Sequence, residues 1–114
     1  KMAEFINPVA YLGDQMTKFT TEIGFKGLQN PDEVGAAAVD YLRVAGHLVF
    51  GYLFARMAQV ALREIAAGNT DPFYGAKLQT ARFYFAKLFP ETATLMRTAR
   101  AGSKVLMDTD LALA

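Results

Sequence analysis

The chain has 114 residues, 53 % hydrophobic and 20 % charged, which describes one ordinary globular domain with one core rather than a disordered polymer. Twelve basic against eleven acidic side chains leave a net charge of +1, so no strong field selects nucleic acid or an anionic membrane as a partner. Cysteine is absent, which excludes disulfides, thiolate metal sites and a cysteine nucleophile, and is compatible with the cytoplasmic location expected for the chain.

Proline and glycine punctuate the sequence into three helical segments, with no alternating strand pattern and no internal repeat, so the predicted class is all-α. The first helix is predicted over roughly 8–24, with Asn7 as N-cap and Pro8 at the first helical position, where its missing N–H costs nothing. Phe5, Val9, Leu12, Met16, Phe19 and Ile23 alternate spacings of four and three, the seam by which one helix lies along another at a shallow angle. Fraying is expected from Gly24 to Gly27. Asn30-Pro31-Asp32-Glu33 then opens a second helix, with Asn30 capping, Pro31 first, and Glu33 placing negative charge where the helix dipole favours it.

The second helix is predicted over roughly 31–67, ending where Gly68 suits a left-handed cap. Its helical wheel gathers Val39, Leu42, Gly46, Val49, Leu53, Met57 and Val60 on one face, while Phe50, Phe54 and Ile65 spill onto a second. Only Tyr41, Tyr52, Arg56, Gln59 and Arg63 make a polar strip. A helix so apolar around its circumference is expected to be the most buried element, with Ala45, Gly46, Gly51, Ala55 and Ala58 allowing close neighbours. The apolar run from Val44 to Ala55 lies between Arg43 and Arg56, contains His47, and is shorter than the roughly 18 residues of a membrane span.

Asp71-Pro72 repeats the opening grammar for a third helix over roughly 72–110. Leu78, Ala81, Phe85, Leu88, Leu95 and Ala99 form its apolar stripe. Pro90 lies inside that stripe, removes the hydrogen bond to the Ala86 carbonyl and crowds it. Because the stripe resumes in phase beyond it, the expectation is one helix kinked near Pro90, with Gly102-Ser103 a second weak point. Short connections make consecutive helices antiparallel neighbours, so the predicted architecture is an antiparallel bundle of three long helices within a single domain, 1–114.

Chemistry-bearing residues are sparse. His47 is the only histidine, so a multi-histidine metal site is excluded and a metal would have to rest on carboxylates. Asp40 and Arg43 precede it on the same helix, but a helical histidine packed against its neighbours or paired with Asp40 accounts for the trio without catalysis. Glu22, Glu64, Glu91, Asp108 and Asp110 are scattered, and no phosphate-cradling glycine loop is present. No catalytic, cofactor-binding or metal residue is therefore assigned. Phe83 is different, because the wheel sets it beside Arg82, Lys87 and Glu91 and away from the Leu78, Phe85, Leu88 stripe. Arg82, Phe83 and Lys87 form the candidate interface.

Two stretches, Asp40 to Ala58 and Ala76 to Asp110, carry a resemblance to a known family. Tyr41-Leu42-Arg43, Asp71-Pro72, Ala81-Arg82-Phe83-Tyr84 and Leu88-Phe89-Pro90 resemble the C-terminal helical extension of long bacterial acyl-CoA dehydrogenases, a subgroup that includes enzymes acting on methylthio-propanoyl-CoA. With Lys1 rather than methionine at the start, the expectation is a C-terminal fragment of a larger flavoenzyme. The resemblance implies a parent that uses FAD to remove hydrogens from Cα and Cβ of an acyl-CoA thioester and passes electrons to an electron-transfer flavoprotein. It places the catalytic glutamate and flavin contacts in an upstream dehydrogenase core, so this segment is expected to be non-catalytic, to hold no FAD itself, and to dock on that core or on a second subunit. The alternative from another class is an independent helical module binding a partner protein or an apolar ligand. A membrane-surface helix is the weakest reading at this net charge.

Overall fold

The computed structural model describes residues 1–107, and among them every regular element is helical. α1 spans Ala3–Gln29, α2 Asp32–Ala66, α3 Pro72–Phe83, a single π turn Tyr84–Leu88, α4 Glu91–Ala99 and α5 Lys104–Met107. The expected end near Asp110 lies outside the described residues. α1 packs on one flank of α2, and α3 with α4 on the other. Contacts pair Thr20 with Tyr41 and Val9 with Gly51, then His47 with Tyr84 and Asp40 with Thr98, so both flanks run opposite to α2. The extents are 67 × 29 × 14 Å and the radius of gyration is 18.8 Å. A compact domain of 100 residues has about 13 Å, so these helices form an open layer rather than a globule.

α1 begins five residues before the expected start. The Phe5 and Ile6 amides already donate to the Met2 carbonyl at 3.0 and 2.9 Å, and Pro8 sits inside the helix rather than at its first position. The reason is burial: Phe5 is 1 % exposed against Phe85, and burying such a side chain is worth about 1.5–3 kcal/mol, comparable to the cost of an early proline. Nor does α1 fray at its glycines, since it continues to Gln29. A Cβ on Gly27 would lie 2.6 Å from Val34 Cγ2, so the glycine lets α2 start close against it.

The boundaries of α2 follow their signals. Asn30 Oδ1 accepts the Asp32 amide at 3.1 Å, and Gly68, at φ +91, lets the Gly68 and Asn69 amides return to the Ile65 and Glu64 carbonyls. Its facing is the opposite of the expectation. The seam toward both flanks is a row of small residues seven apart, Ala37, Val44, Gly51 and Ala58, joined by Ala61. Val39, Leu42, Val49, Phe50, Leu53 and Val60 point outward and are 44 to 78 % exposed. Thus α2 is central but not the most buried element. By length and composition it is also apolar enough to cross a membrane, with 22 % of its most apolar window buried. A wheel ranks faces by hydrophobicity, whereas a helix squeezed between two others needs small residues at the squeeze. Phe5, Phe19 and Phe89 from the flanking elements fill the space that those small residues leave.

The third segment is not one kinked helix. Asp71 Oδ1 caps α3 through the Phe73 amide at 3.0 Å with Pro72 first, as its sequence signals. Ahead of Pro90, however, the backbone widens to a π turn in which the Phe89 amide donates to the Tyr84 carbonyl at 2.9 Å. Widening relieves the crowding that the proline ring would impose one turn back. It also breaks the phase of the stripe: Phe89 and Met96 are buried, while Leu88 is 48 % exposed and Leu95 is only partly covered. α4 then stops at Ala99, and Gly102, at φ +87, turns the buried Ser103 back to α2, where its Oγ donates to Glu33 Oε1 at 2.8 Å. Leu106, beyond that turn, is 59 % exposed.

The point where both flanks press on α2 tests this packing. A Cβ on Gly51 would lie 2.9 Å from Phe89 Cε1 and 3.1 Å from Val9 Cγ2, whereas Gly75 on α3 has nothing within 4 Å. Gly51→Val is expected to destabilise the chain by about 2 kcal/mol through overpacking. Gly75→Ala should stabilise it by roughly 0.5–1 kcal/mol through helix propensity. Urea midpoints of the two variants measure both, and a harmless Gly51→Val would contradict the small-residue seam.

Candidate functional site

Two places bring side chains of chemical interest together. The first lies where α2 meets the π turn and α4. The π turn places Tyr84 inward, 4 % exposed and stacked on Phe54 at 4.4 Å between ring centroids. Tyr84 Oη lies 2.8 Å from His47 Nδ1 and also donates to the His47 carbonyl at 3.2 Å. His47 Nε2 lies 3.2 Å from Glu91 Oε1. Arg43 forks onto the same carboxylate, Nε to Oε1 and Nη2 to Oε2. The tyrosine has one proton and gives it to the carbonyl, and a carboxylate only accepts. His47 thus bridges the phenol and the carboxylate through its two ring nitrogens.

Electrostatics follow from these partners. Hydrogen bonds from Arg43, then from His47, together with their charges, pull the Glu91 carboxyl down to about 2 from an ordinary 4.5. Burial, and then the Glu91 charge, push the Tyr84 phenol up to about 12 from 10.0. A carboxylate so strongly held is a weak base at neutral pH, and a phenol so strongly protonated is no nucleophile. The cluster is a polar clasp fastening α2 to the π turn and α4. Asp40 takes no part in it, since its Oδ2 accepts from Thr98 Oγ1 at 2.8 Å, and the Asp40–His47 pairing considered from sequence is replaced by His47–Glu91. Among the described residues no group of three or more His, Cys, Asp or Glu is placed to hold a metal.

The second place is the candidate interface. Phe83 ends α3 with 57 % of its surface exposed, and Lys87 is exposed in the π turn. Arg82 turns away from them, donating to Glu4 Oε1 at 2.8 Å with its guanidinium 5.9 Å above the Phe5 ring. Glu91, counted with Phe83 on the wheel, belongs to the His47 clasp instead, because the π turn rotates everything after it. Of the expected charged rim, Lys87 stays exposed four residues on from the aromatic. Sequence reasoning missed the Glu91 partners because the wheel set Glu91 on the Phe83 side, in phase with an unbroken helix. No spacing rule links it to Arg43 and His47.

A groove of about 560 Å³ runs between α1 and α2, lined by Thr20, Ile23, Val34, Tyr41, Leu42 and Ala45 among others. It carries no basic side chain.

The clasp predicts a pH dependence. The Glu91 carboxyl is depressed on folding, so its stabilisation is present above about 4.5 and is lost as pH falls toward about 2. Thermal midpoints should decline through that window, and Glu91→Gln should lower stability at pH 7 while flattening the decline. An acid limb unchanged in the variant would show that another carboxylate controls it.

No curated protein sequence matches the chain. The family described as acetyl-CoA dehydrogenase C-terminal like matches residues 1–110, nearly the full length, and takes in all three helical arms of the layer. The chain belongs to the acetyl-CoA dehydrogenase C-terminal-like family.

Proposed function

We propose that this chain is the structural and interaction domain of an FAD-dependent acyl-CoA dehydrogenase of the long bacterial subgroup, built as an antiparallel bundle of three helical arms. Its parent takes hydrogens from Cα and Cβ of an acyl-CoA thioester in the cytoplasm and hands electrons to an electron-transfer flavoprotein. Membership of the family is the observation that carries the reading. The domain itself is non-catalytic in this proposal, since its most organised carboxylate, Glu91, is committed to Arg43 and His47.

In this proposal FAD is held elsewhere in the parent. The groove lined by Thr20, Val34 and Tyr41 is apolar and offers a diphosphate no basic side chain, which supports that reading. We place the flavin in a dehydrogenase core outside these residues, and no step of the reaction is assigned to this domain. The same apolar groove favours the second reading, an independent helical module for an apolar ligand. The two differ in whether the open reading frame also encodes a dehydrogenase core.

Phe83 is the anchor we assign to docking on that core. An exposed aromatic beside a lysine has the composition of a contact patch, and truncating a well-buried anchor costs about 2 kcal/mol or more of association. Phe83→Ser is expected to leave the helicity and thermal midpoint of this chain unchanged while weakening its docking on the core. Unfolding of the variant would make Phe83 a core residue, and unchanged docking would remove it from the interface. The purified chain should also neither retain FAD nor reduce a dye with acyl-CoA. Flavin absorption bands at one equivalent per chain would refute the non-catalytic assignment.

A further inference from the structure

Arginines that reach from one helical arm to another are each matched by a carboxylate: Arg43 meets Glu91, Arg82 meets Glu4 and Arg100 meets Glu22. Arg56, at the boundary between α1 and α2, is different. Its Nη1 donates to Tyr52 Oη at 2.9 Å and its guanidinium lies 5.8 Å from the Tyr52 ring centroid, one turn back on the same helix. Among the described residues no carboxylate pairs with it. The tyrosine positions the guanidinium without cancelling its charge. That charge lies on the rim of a groove of about 310 Å³, within the size range of small-molecule sites. Met2, Ile6, Val9 and Ala10 of α1 and Ala55 of α2 give the groove apolar walls. Tyr52, Arg56 and Gln59, spaced four and three apart, line it from one face of α2.

We propose that this groove binds an aliphatic monocarboxylate, its chain against the apolar walls and its carboxylate on Arg56. The rim selects the head group. A guanidinium presents its N–H groups as a fork that matches the two oxygens of a carboxylate. Tyr52 accepts from Arg56 through its oxygen, so its own hydrogen remains to be donated, and the Gln59 amide adds an uncharged donor. Arg56 is the one cation among the lining residues, which balances a single negative charge. A phosphate monoester carries about −1.5 to −2 at neutral pH and would be left half compensated. The walls select the rest of the ligand, since none of their five side chains can hydrogen-bond to a polar chain. The groove lined by Thr20, Val34 and Tyr41 has no such rim. The inference holds whether or not the chain serves a dehydrogenase.

Decanoate is the probe. Titration calorimetry of the chain should show saturable binding of one equivalent below about 1 mM. Decanol, with the same chain and no charge, should bind at least about tenfold more weakly. Arg56→Gln should lower the affinity for decanoate by at least about tenfold and leave decanol unaffected. Arg63→Gln, which removes an arginine about two turns along α2, should change neither. Ala10→Leu, exposed on α1, fills the groove and should abolish both. Circular dichroism checks the helicity of each variant, and the comparison of decanoate with decanol uses the unaltered chain, so it decides even where a variant fails to fold. Absence of saturation at about 1 mM overturns the proposal. So does equal affinity for decanol, tighter binding of decyl phosphate than of decanoate, binding that survives Arg56→Gln, or association with lipid vesicles alone.

Discussion

Everything in this layer depends on how closely α1 and the α3–α4 arm can approach α2, and Gly51 sets that distance. Val9 comes from one side and Phe89 from the other, both at the van der Waals limit of a residue with no side chain. The neighbouring positions in the row, Val44 and Ala58, are fully buried for the same reason. Large aromatics on the flanks and small residues on the centre are one arrangement seen from two sides. It produces two core clusters, one around Phe19 and Phe89 and one around Phe5 and Leu78, joined through Phe54 and Phe85, which pack against both.

The polar contacts then fix register along that seam. Glu91 can reach Arg43 and His47 only if α4 is rotated by the extra residue of the π turn, and the same rotation buries Phe89 beside Gly51. Pro90 is thus linked to both the packing and the clasp. At the far end Ser103, Glu33 and Asn30 repeat the logic, fastening the turn after α4 to the turn before α2.

Helix boundaries set by local chemistry were legible in the sequence: Asn30-Pro31-Asp32, Gly68 and Asp71-Pro72 act through their own backbone and side chains. The all-α class was legible from periodicity. The start of α1 was not, because Pro8 carries a strong local signal that burial of the distant Phe5 overrides. The π turn was hidden because Leu88 and Phe89 are equally apolar, and only their packing distinguishes them. The facing of α2 was misread because both its sides are apolar, and size rather than hydrophobicity decides which is squeezed. For the site, Phe83 was identifiable as an outlier on a polar face. The Glu91 clasp joins residues 48 apart in sequence, which no local pattern encodes.

The two arginine contacts between the outer arms depend on the whole layer. Arg82 reaches Glu4 over Phe5, and Arg100 reaches Glu22 over Phe19, and both pairs span 78 residues of sequence. Most of the packing joins α2 to α1 on one side and to the α3–α4 arm on the other, with Phe5 and Phe85 also meeting between the arms, so two helical hairpins can assemble with little loop entropy to overcome. The arginines can close only when both hairpins share α2. They are contacts that neither hairpin can make alone.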